Sequence, residues 1–271
     1  MGNVSVIIPT WNRAKTIERA IRSTLNQTVS PLEVLVCDDG SSDNTEAIVK
    51  GIGDSRVKWI EGPRGGRPAI PRNRGIKVSQ GEWFAFLDSD DEWRPEKLEK
   101  QLTFADKLGC KAVCSNASSY VPEDGIKGNL LTWHKDRITF KDLLQDNQVI
   151  CSSALIHRSL LKAVIGFPEE PEAKAIEDYT LWLRVATQTD FAFIQEPLVI
   201  YTDDPATSVR GSATTGAYGQ QKFALKNFLD WAEAQQISNE HIARARNHYY
   251  WWINIKKLAS YVYMLKKLVL K

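Results

Sequence analysis

Short apolar runs alternate with amphipathic segments along the first 115 residues of the chain. The runs at 4–8 and 32–37 are rich in β-branched residues and predict two buried strands. Apolar residues between them recur at helical spacing, at Ile17, Ala20, Ile21 and Leu25. The alternation continues through predicted strands at 57–60, 83–87 and 111–115. Strands that alternate with helices predict an α/β fold with a parallel sheet and right-handed crossovers.

The pattern is looser beyond Asn116. It predicts three further helices, at 139–146, at 160–165 and from Glu177 onward. It also predicts three short strands, at 152–157, 191–194 and 198–201. Residues 202–218 are polar and contain Gly and Ser, which favours a mobile segment. Two amphipathic helices, at about 220–235 and 239–270, end the chain.

The predicted strand at 83–87 runs directly into Asp88, Asp90 and Asp91. The carboxyl ends of parallel strands are where open α/β sheets bind ligands. Carboxylates this close repel each other, and a hard divalent cation, Mg²⁺ or Mn²⁺, shared with a phosphate would relieve that repulsion. The alternative is a solvated acidic turn that caps the next helix, which Pro95 is placed to begin. This stretch alone does not decide between them.

Two more acidic pairs are candidates for the same site. Asp38 and Asp39 follow the second predicted strand, and Glu177 and Asp178 open a helix. Between these clusters lies a Gly- and Pro-rich loop, 61–68. Two basic candidates lie in or just after this loop, Arg67 and either Arg72 or Arg74. A phosphate-bearing ligand would explain the combination, because a cation bridges carboxylate and phosphate while Arg adds bidentate contacts.

Trp11 follows the first predicted strand and is expected near Asp39. An aromatic ring and a carboxylate there would grip a nucleotide base and its N–H donor. The alternative for Trp11 is a lone surface aromatic. For Asp38 we favour a structural turn or cap.

Other function classes lack their motifs. The chain has no G-x-G-x-x-G after the first strand, no G-x-x-x-x-G-K-[ST] and no nucleophile-elbow serine, which argues against a dehydrogenase, a P-loop enzyme and a serine hydrolase. The formal net charge of +2 argues against nucleic acid as a partner. With 43% hydrophobic and 25% charged residues over 271 positions, the composition is that of an ordinary globular protein.

The sequence also predicts a cytoplasmic protein. The N-terminus enters a strand and resembles no signal peptide. No run of 18 apolar residues predicts a membrane span. The four cysteines form no metal-type pair and are interpreted as reduced core residues.

Four motifs in order over about 180 residues resemble family 2 glycosyltransferases, the large inverting family with the GT-A fold. They are V-S-V-I-I-P-T-W-N-R at 4–13, V-C-D-D-G-S-S-D-N-T at 36–45, F-L-D-S-D-D at 86–91 and E-D followed by L-W-L-R at 177–184. The resemblance implies a Rossmann-like, mostly parallel central sheet flanked by helices, with a C-terminal helical appendage. It further implies a catalytic domain at 1–218, with a nucleotide-binding half to about 115 and an acceptor-binding half at 116–218, followed by amphipathic helices at 219–271.

The resemblance also implies a role for each motif position. The nucleotide base pocket would be lined by Pro9, Thr10, Trp11 and Asp39. Arg67 would lie over the base or the diphosphate, and Asp90 would contact the ribose or the metal. Asp91 would be the main ligand of Mn²⁺ or Mg²⁺, with Asp88 in support. Asp178 would be the general base, with Glu177 orienting it or the acceptor.

A protein of this family would transfer a sugar from a nucleotide-diphosphate donor, with a UDP-sugar as the best guess, and invert the anomeric centre. The acceptor would be a growing surface glycan such as lipopolysaccharide O-antigen, possibly lipid-linked. Two alternatives stay open: a sugar nucleotidyltransferase, and a catalytically inactive nucleotide- or glycan-binding scaffold.

The C-terminal segment from Asn239 is basic, with seven Lys or Arg residues and one Glu. It is also rich in aromatics, and its apolar residues share one helical face. Such a helix can lie on an anionic membrane surface, and we expect 251–271 to make this contact at the inner face of the cytoplasmic membrane. The alternative is packing on the catalytic domain or on a second subunit of a homo-oligomer.

Overall fold

The first part of the chain is built on four parallel strands. A computed structural model describes residues 3–204 and 217–251. The strands are β1 (Val4–Thr10), β2 (Glu33–Asp38), β3 (Val57–Ile60) and β4 (Trp83–Phe86), joined by helices α1 (Ile17–Leu25), α2 (Thr45–Gly51) and α3 (Ala69–Val78). They lie in the order β3-β2-β1-β4, all parallel. This is the alternating arrangement that the hydrophobic pattern predicts.

The second half makes the sheet mixed. Its strands are β5 (Glu92–Trp93), β6 (Ala112–Val121), β7 (Gly125–Asn129), β8 (Arg137–Ile138), β9 (Leu155–His157) and β10 (Phe191–Thr202). The strand β9 lies between β4 and β6 and is antiparallel to both. The sheet is parallel through β3-β2-β1-β4 and again between β6 and β10, while β9, a strand from later in the chain, separates β4 from β6 and makes the sheet mixed.

Five further helices flank this half, at α4 (Lys97–Leu108), α5 (Phe140–Gln145), α6 (Arg158–Val164), α7 (Glu177–Val185) and α8 (Ala217–Ala234). Gly109 ends α4 in the left-handed conformation, with φ of 59°, which glycine adopts without strain. Thr139 and Asp142 form a capping box at the start of α5. Residues 239–251 are also helical.

Two segments differ from the predicted boundaries. The strands expected at 191–194 and 198–201 are one strand, β10, whose register shifts between Ile194 and Val199. The strand β6 runs on to Val121, where the sequence predicted a loosened pattern. The segment predicted to be mobile, 202–218, lies mostly outside the described residues.

A cluster of aromatic rings fills the core between the sheet and α7. Trp182 packs edge-on against Phe167 and Phe191, with ring centroids 6.1 and 5.6 Å away. The C-terminal helices join the same core, since Phe228 and Ala245 are fully buried in it. As far as Tyr249 these helices therefore pack on the rest of the fold, whereas most of 251–271 lies outside the described residues.

Two further sequence expectations concern the cysteines and the membrane. All four cysteines are buried and free of disulfide bonds. None of the helices within 3–204 and 217–251 has both the length and the apolar character to cross a membrane.

Candidate active site

One cavity of about 560 Å³ opens at the carboxyl edge of β1, β2 and β4 and reaches the first turn of α7. All the residues to which the family resemblance assigned a role line it, namely Pro9, Thr10, Trp11, Asp39, Arg67, Asp88, Asp90, Asp91, Glu177 and Asp178. The strands β1, β2 and β4 end at the same edge of the sheet because they are parallel, and this brings motifs from distant parts of the chain together.

At the end of β2 the two neighbouring aspartates have different tasks. Asp38 closes a turn, because its carboxylate accepts hydrogen bonds from the backbone N–H groups of Gly40 and Ser41. This agrees with the favoured sequence interpretation. The backbone N–H of Asp39 donates to the carbonyl of Thr10, which fixes Asp39 beside the end of β1.

The carboxylate of Asp39 holds the Gly-rich loop against the cavity. It accepts from the backbone N–H groups of Gly65 and Gly66, at 2.7 and 2.8 Å, and from Nη1 of Arg64 at 2.7 Å. A Cβ atom at residue 65 would lie 2.4 Å from Cδ1 of Ile70, so a larger residue there would require the Ile70 side chain to shift. Asp39 thus determines where the loop sits, a task that the sequence did not indicate.

Trp11 and Thr10 line the end of the cavity that lies at β1. Trp11 is 45% exposed, and the guanidinium carbon of Arg64 lies 3.6 Å from its ring centroid, a close cation–π contact. Thr10 is buried, and its hydroxyl has no hydrogen-bond partner among the described residues. A buried hydroxyl without a partner at the wall of a cavity is placed to bind a ligand.

Asp91 is the most deeply buried of the three acids after β4. One carboxylate oxygen accepts from the Oγ of Ser152 at 2.5 Å, and the other accepts from the backbone N–H of Thr202 at 2.8 Å. Burial, together with the charges of Asp88 and Asp90, raises the pKa of Asp91 well above its usual range. The ionised form of Asp91 is therefore disfavoured unless a positive charge lies beside it.

Asp90 lies in a similar field. Burial and the neighbouring charge of Asp88 raise its pKa, although Arg13 lies 3.3 Å from one of its oxygens and opposes the shift. The three acids repel each other within one cavity, as expected for a carboxylate set that a cation would stabilise.

The donor set fits a magnesium or manganese ion that also binds a substrate phosphate. Each oxygen of Asp91 accepts one hydrogen bond and retains a second lone pair. Across 3–204 and 217–251, no three His, Cys, Asp or Glu side chains converge into a complete metal site. Magnesium is commonly held by one or two carboxylates, with water and substrate phosphates completing the shell.

Arg72 has a different role from the one its sequence position suggested. Instead of facing a phosphate, it is buried between two carboxylates, with Nη1 2.6 Å from Oε1 of Glu177 and Nη2 2.6 Å from Oδ1 of Asp88. Arg74, the alternative candidate to Arg72, donates a hydrogen bond to the backbone carbonyl of Asp38. Both arginines therefore organise the site from within.

Asp178 stands beside this buried ion cluster at the start of α7. Burial, together with the charge of Glu177, raises the pKa of Asp178 to about 7. A carboxylate with a pKa near neutrality is matched to accept a proton at physiological pH. The second oxygen of Glu177, Oε2, has no partner among the described residues and completes this end of the cavity.

Sequence reasoning did not assign Arg64, Ser152 or Thr202 to the site. Arg64 stacks on Trp11, and the other two hold the carboxylate of Asp91. Arg64 lies three residues before Arg67 in the same loop, which was the one available signal. Ser152 and Thr202 lie 61 and 111 residues from Asp91 in sequence, and no local pattern links them to it.

Solved structures with the same architecture include two of TarS from S. aureus, residues 1–349. The complex with UDP matches with a TM-score of 0.69 at 22% identity, covering 93% of this chain and 71% of the other. The complex with UDP-GlcNAc matches with a TM-score of 0.73 at 22% identity, covering 92% and 72%. These likenesses establish the GT-A fold.

Similar sequences include two named bacterial glycosyltransferases. The first is the UDP-Glc:alpha-D-GlcNAc-diphosphoundecaprenol beta-1,3-glucosyltransferase WfgD of Escherichia coli, 35% identical over 191 residues, which cover 70% of this chain and 72% of WfgD. The putative teichuronic acid biosynthesis glycosyltransferase TuaG of Bacillus subtilis is 30% identical over 184 residues, covering 67% and 71%.

The family comparison agrees with the motifs and the fold. The model of glycosyl transferase family 2 matches residues 5–165, which is more than half of the chain and includes the first three motifs. Family membership favours sugar transfer over the nucleotidyltransferase and scaffold alternatives. The chain belongs to glycosyl transferase family 2 and is a glycosyltransferase.

Proposed function

We propose that this glycosyltransferase moves a sugar, with inversion, from a UDP-sugar to a hydroxyl group of a lipid-linked acceptor during synthesis of a bacterial surface polysaccharide. The observation that carries the proposal is the placement of Asp178, with its pKa near 7, in one cavity with the three acids after β4. The names of WfgD and TuaG support the donor, the lipid-diphosphate acceptor and the type of pathway.

The donor is assigned to the end of the cavity at β1 and β2. Pro9, Thr10, Trp11 and Asp39 would line the base pocket, and the unpartnered hydroxyl of Thr10 supports this. Arg67 would lie over the base or the diphosphate; its Nε donates to the backbone carbonyl of Glu169, and it pairs with no carboxylate among the described residues.

The transfer is a single displacement. The acceptor oxygen bonds to the anomeric carbon while the bond from that carbon to the diphosphate oxygen breaks, and the nucleoside diphosphate leaves. The hydroxyl proton passes to the carboxylate of Asp178. One base on the face opposite the leaving group is sufficient, so an α-linked donor would give a β-linked product. Glu177 would orient the base or the acceptor.

Asp91 is proposed as the main ligand of Mn²⁺ or Mg²⁺, with Asp90 and Asp88 in support. When bound, such an ion neutralises the negative charge that develops on the leaving diphosphate. Arg72 restrains Asp88 through the 2.6 Å contact between Nη2 and Oδ1. The alternative role of Asp90 is a contact with the ribose of the donor.

The test is transfer from a panel of UDP-sugars, with Mn²⁺ or Mg²⁺, to a synthetic GlcNAc-α-diphosphate lipid. We expect one donor to be consumed and the product to carry an inverted anomeric linkage by NMR. We expect D178N to bind UDP but lose transfer, and D91N to lose metal-dependent donor binding. A product with retained configuration, or full activity in D178N, would refute the mechanism.

A peripheral contact with the inner face of the cytoplasmic membrane through 251–271 is also proposed. Tyr250 and Trp251 are 67% and 66% exposed where the described helix ends. Aromatic side chains of this kind favour the interface of a bilayer. The test compares the full chain with one truncated after residue 250 for sedimentation with anionic vesicles; equal partitioning would exclude this contact.

A further inference from the structure

Five cationic side chains line the active-site cavity, those of Arg13, Arg64, Arg67, Arg72 and Lys174. Three of these, Arg13, Arg64 and Arg72, lie against carboxylates of the site, with nitrogen–oxygen distances between 2.6 and 3.3 Å. Arg67 donates to a backbone carbonyl. The ammonium group of Lys174 makes no hydrogen bond or ion pair within 3–204 and 217–251.

Lys174 is half-buried and lies in the segment that leads into α7. The next residue, Ala175, has φ of 71°, a left-handed conformation that is unusual for a residue with a side chain. The chain therefore turns sharply between Lys174 and the acidic pair at the start of α7. Both Lys174 and Asp178 line the cavity.

An ammonium group that lines the cavity and has no counter-charge among the described residues is available to an anionic ligand. The reaction offers two anions, the diphosphate of the donor and the phosphate of a lipid-linked acceptor. Arg67 belongs to the loop that Asp39 anchors at the donor end. Lys174 instead belongs to the segment that carries the base, against which the acceptor hydroxyl must lie.

The spacing along the chain limits the separation of the two groups. Asp178 lies four positions after Lys174, so their Cα atoms are at most about 14 Å apart. The flexible side chain of a lysine covers several ångströms of such a separation. One sugar ring between a hydroxyl at Asp178 and a phosphate at Lys174 would therefore fit within this part of the cavity.

We propose that Lys174 binds the phosphate on the anomeric oxygen of the acceptor sugar, so that the acceptor subsite selects a sugar diphosphate over a neutral glycan. This inference rests on the proposed function, in which Asp178 deprotonates a lipid-diphosphate-linked acceptor. Because its ammonium group has no protein partner among the described residues, substituting Lys174 should leave the fold unchanged.

The experiment compares two acceptors that share one sugar and one alkyl chain, a GlcNAc-α-diphosphate and the neutral α-glycoside. For K174M we expect kcat/KM for the diphosphate acceptor to fall about tenfold to a hundredfold, the range expected for one hydrogen bond to a charged group. The value for the neutral glycoside and the KM for the UDP-sugar should stay unchanged. K174R should retain the preference, and K162M, which alters an exposed lysine of α6 outside the cavity, should match the wild type.

Three results would overturn the proposal. A raised KM for the UDP-sugar in K174M would assign Lys174 to the donor diphosphate. Equal losses on both acceptors, or none, would remove its role in phosphate recognition. If the wild-type enzyme hydrolyses a UDP-sugar but transfers to neither acceptor, the proposed acceptor class itself fails, and this inference fails with it.

Discussion

Nη1 of Arg72 lies 2.6 Å from Oε1 of Glu177, with 3% and 5% of the two side chains exposed. The other terminal nitrogen of the same guanidinium lies 2.6 Å from Asp88. One buried cation therefore connects the acids that follow β4 with the helix that begins at Glu177 and Asp178. These two parts of the candidate site are held in fixed relation by a residue of α3.

Removing this cation is expected to cost both stability and activity. In R72M, two carboxylates lose their partner, and breaking a buried pair typically costs about 3–5 kcal/mol. We expect a reduced free energy of unfolding by urea denaturation and a kcat reduced at least tenfold in the folded enzyme. R72K keeps the charge but cannot reach both acids with one planar group, so it should recover only part of each loss.

A double-mutant cycle with E177Q provides the control. If the ion pair carries the effect, R72M should destabilise the E177Q background by clearly less than the wild type. Additive losses in free energy would mean that the effect comes from the other contacts of Arg72, with Asp88 at 2.6 Å or with the ring of Phe167, whose centroid lies 5.2 Å from the guanidinium carbon.

The second prediction concerns the pH dependence of transfer. Asp178 must be ionised to accept a proton, and its pKa is about 7. We therefore expect kcat at saturating substrates to rise with pH through an acid limb near pH 7 and to fall about tenfold per unit below it. In E177Q one charge that raises this pKa is absent, so the limb should move to lower pH. A limb that is unmoved in E177Q would assign the titration to another group.

The third prediction is that ionised Asp178 destabilises the fold. The pKa of Asp178 is raised from 3.8 to about 7, so the folded state binds more protons than the unfolded state between these values. Its contribution to stability is therefore lost as the pH rises through that window. D178N removes this effect and should be more stable than the wild type at pH 8, by about 1–3 kcal/mol.

The matched control is D106N, which removes the same charge from an exposed position in α4. Thermal denaturation between pH 4 and 8 should give a gap between D178N and the wild type that widens with pH, and no such gap for D106N. A gap that is independent of pH would contradict the assigned titration.

The local sequence was sufficient to predict the layout of the donor end. Apolar runs followed by acids indicate strand ends, and parallel strands place those ends at one edge, so Asp39, Asp91 and Trp11 were expected to share a cavity. The helix that begins at Glu177 also followed from local signals.

The contacts that complete the site were beyond this reasoning. Arg72 and Glu177 are 105 residues apart, and a hydrogen bond across that separation leaves no periodic trace in the sequence. The insertion of β9 between β4 and β6 also could not be predicted from the sequence, because a short apolar run fits any buried position in a sheet.

The last prediction concerns the loop that Asp39 anchors. Its carboxylate accepts three hydrogen bonds from the loop, two of them from the backbone of Gly65 and Gly66. D39N replaces one acceptor oxygen by a donor, which should release the loop from Trp11. We expect the KM for the UDP-sugar to rise about tenfold or more, as for loss of a charge-assisted bond, with a smaller change in kcat.

Two further variants separate loop anchoring from direct contact between Asp39 and the base. G65A keeps the carboxylate but sets a Cβ atom 2.4 Å from Ile70 and 3.1 Å from Asp39, so it should weaken UDP binding if the loop position matters. D54N, which alters a surface pair with Arg56 outside the cavity, should bind UDP like the wild type. Calorimetric titration with UDP measures all three. Weak binding in D39N with normal binding in G65A would mean that Asp39 acts on the nucleotide itself, and that its hold on the loop is secondary.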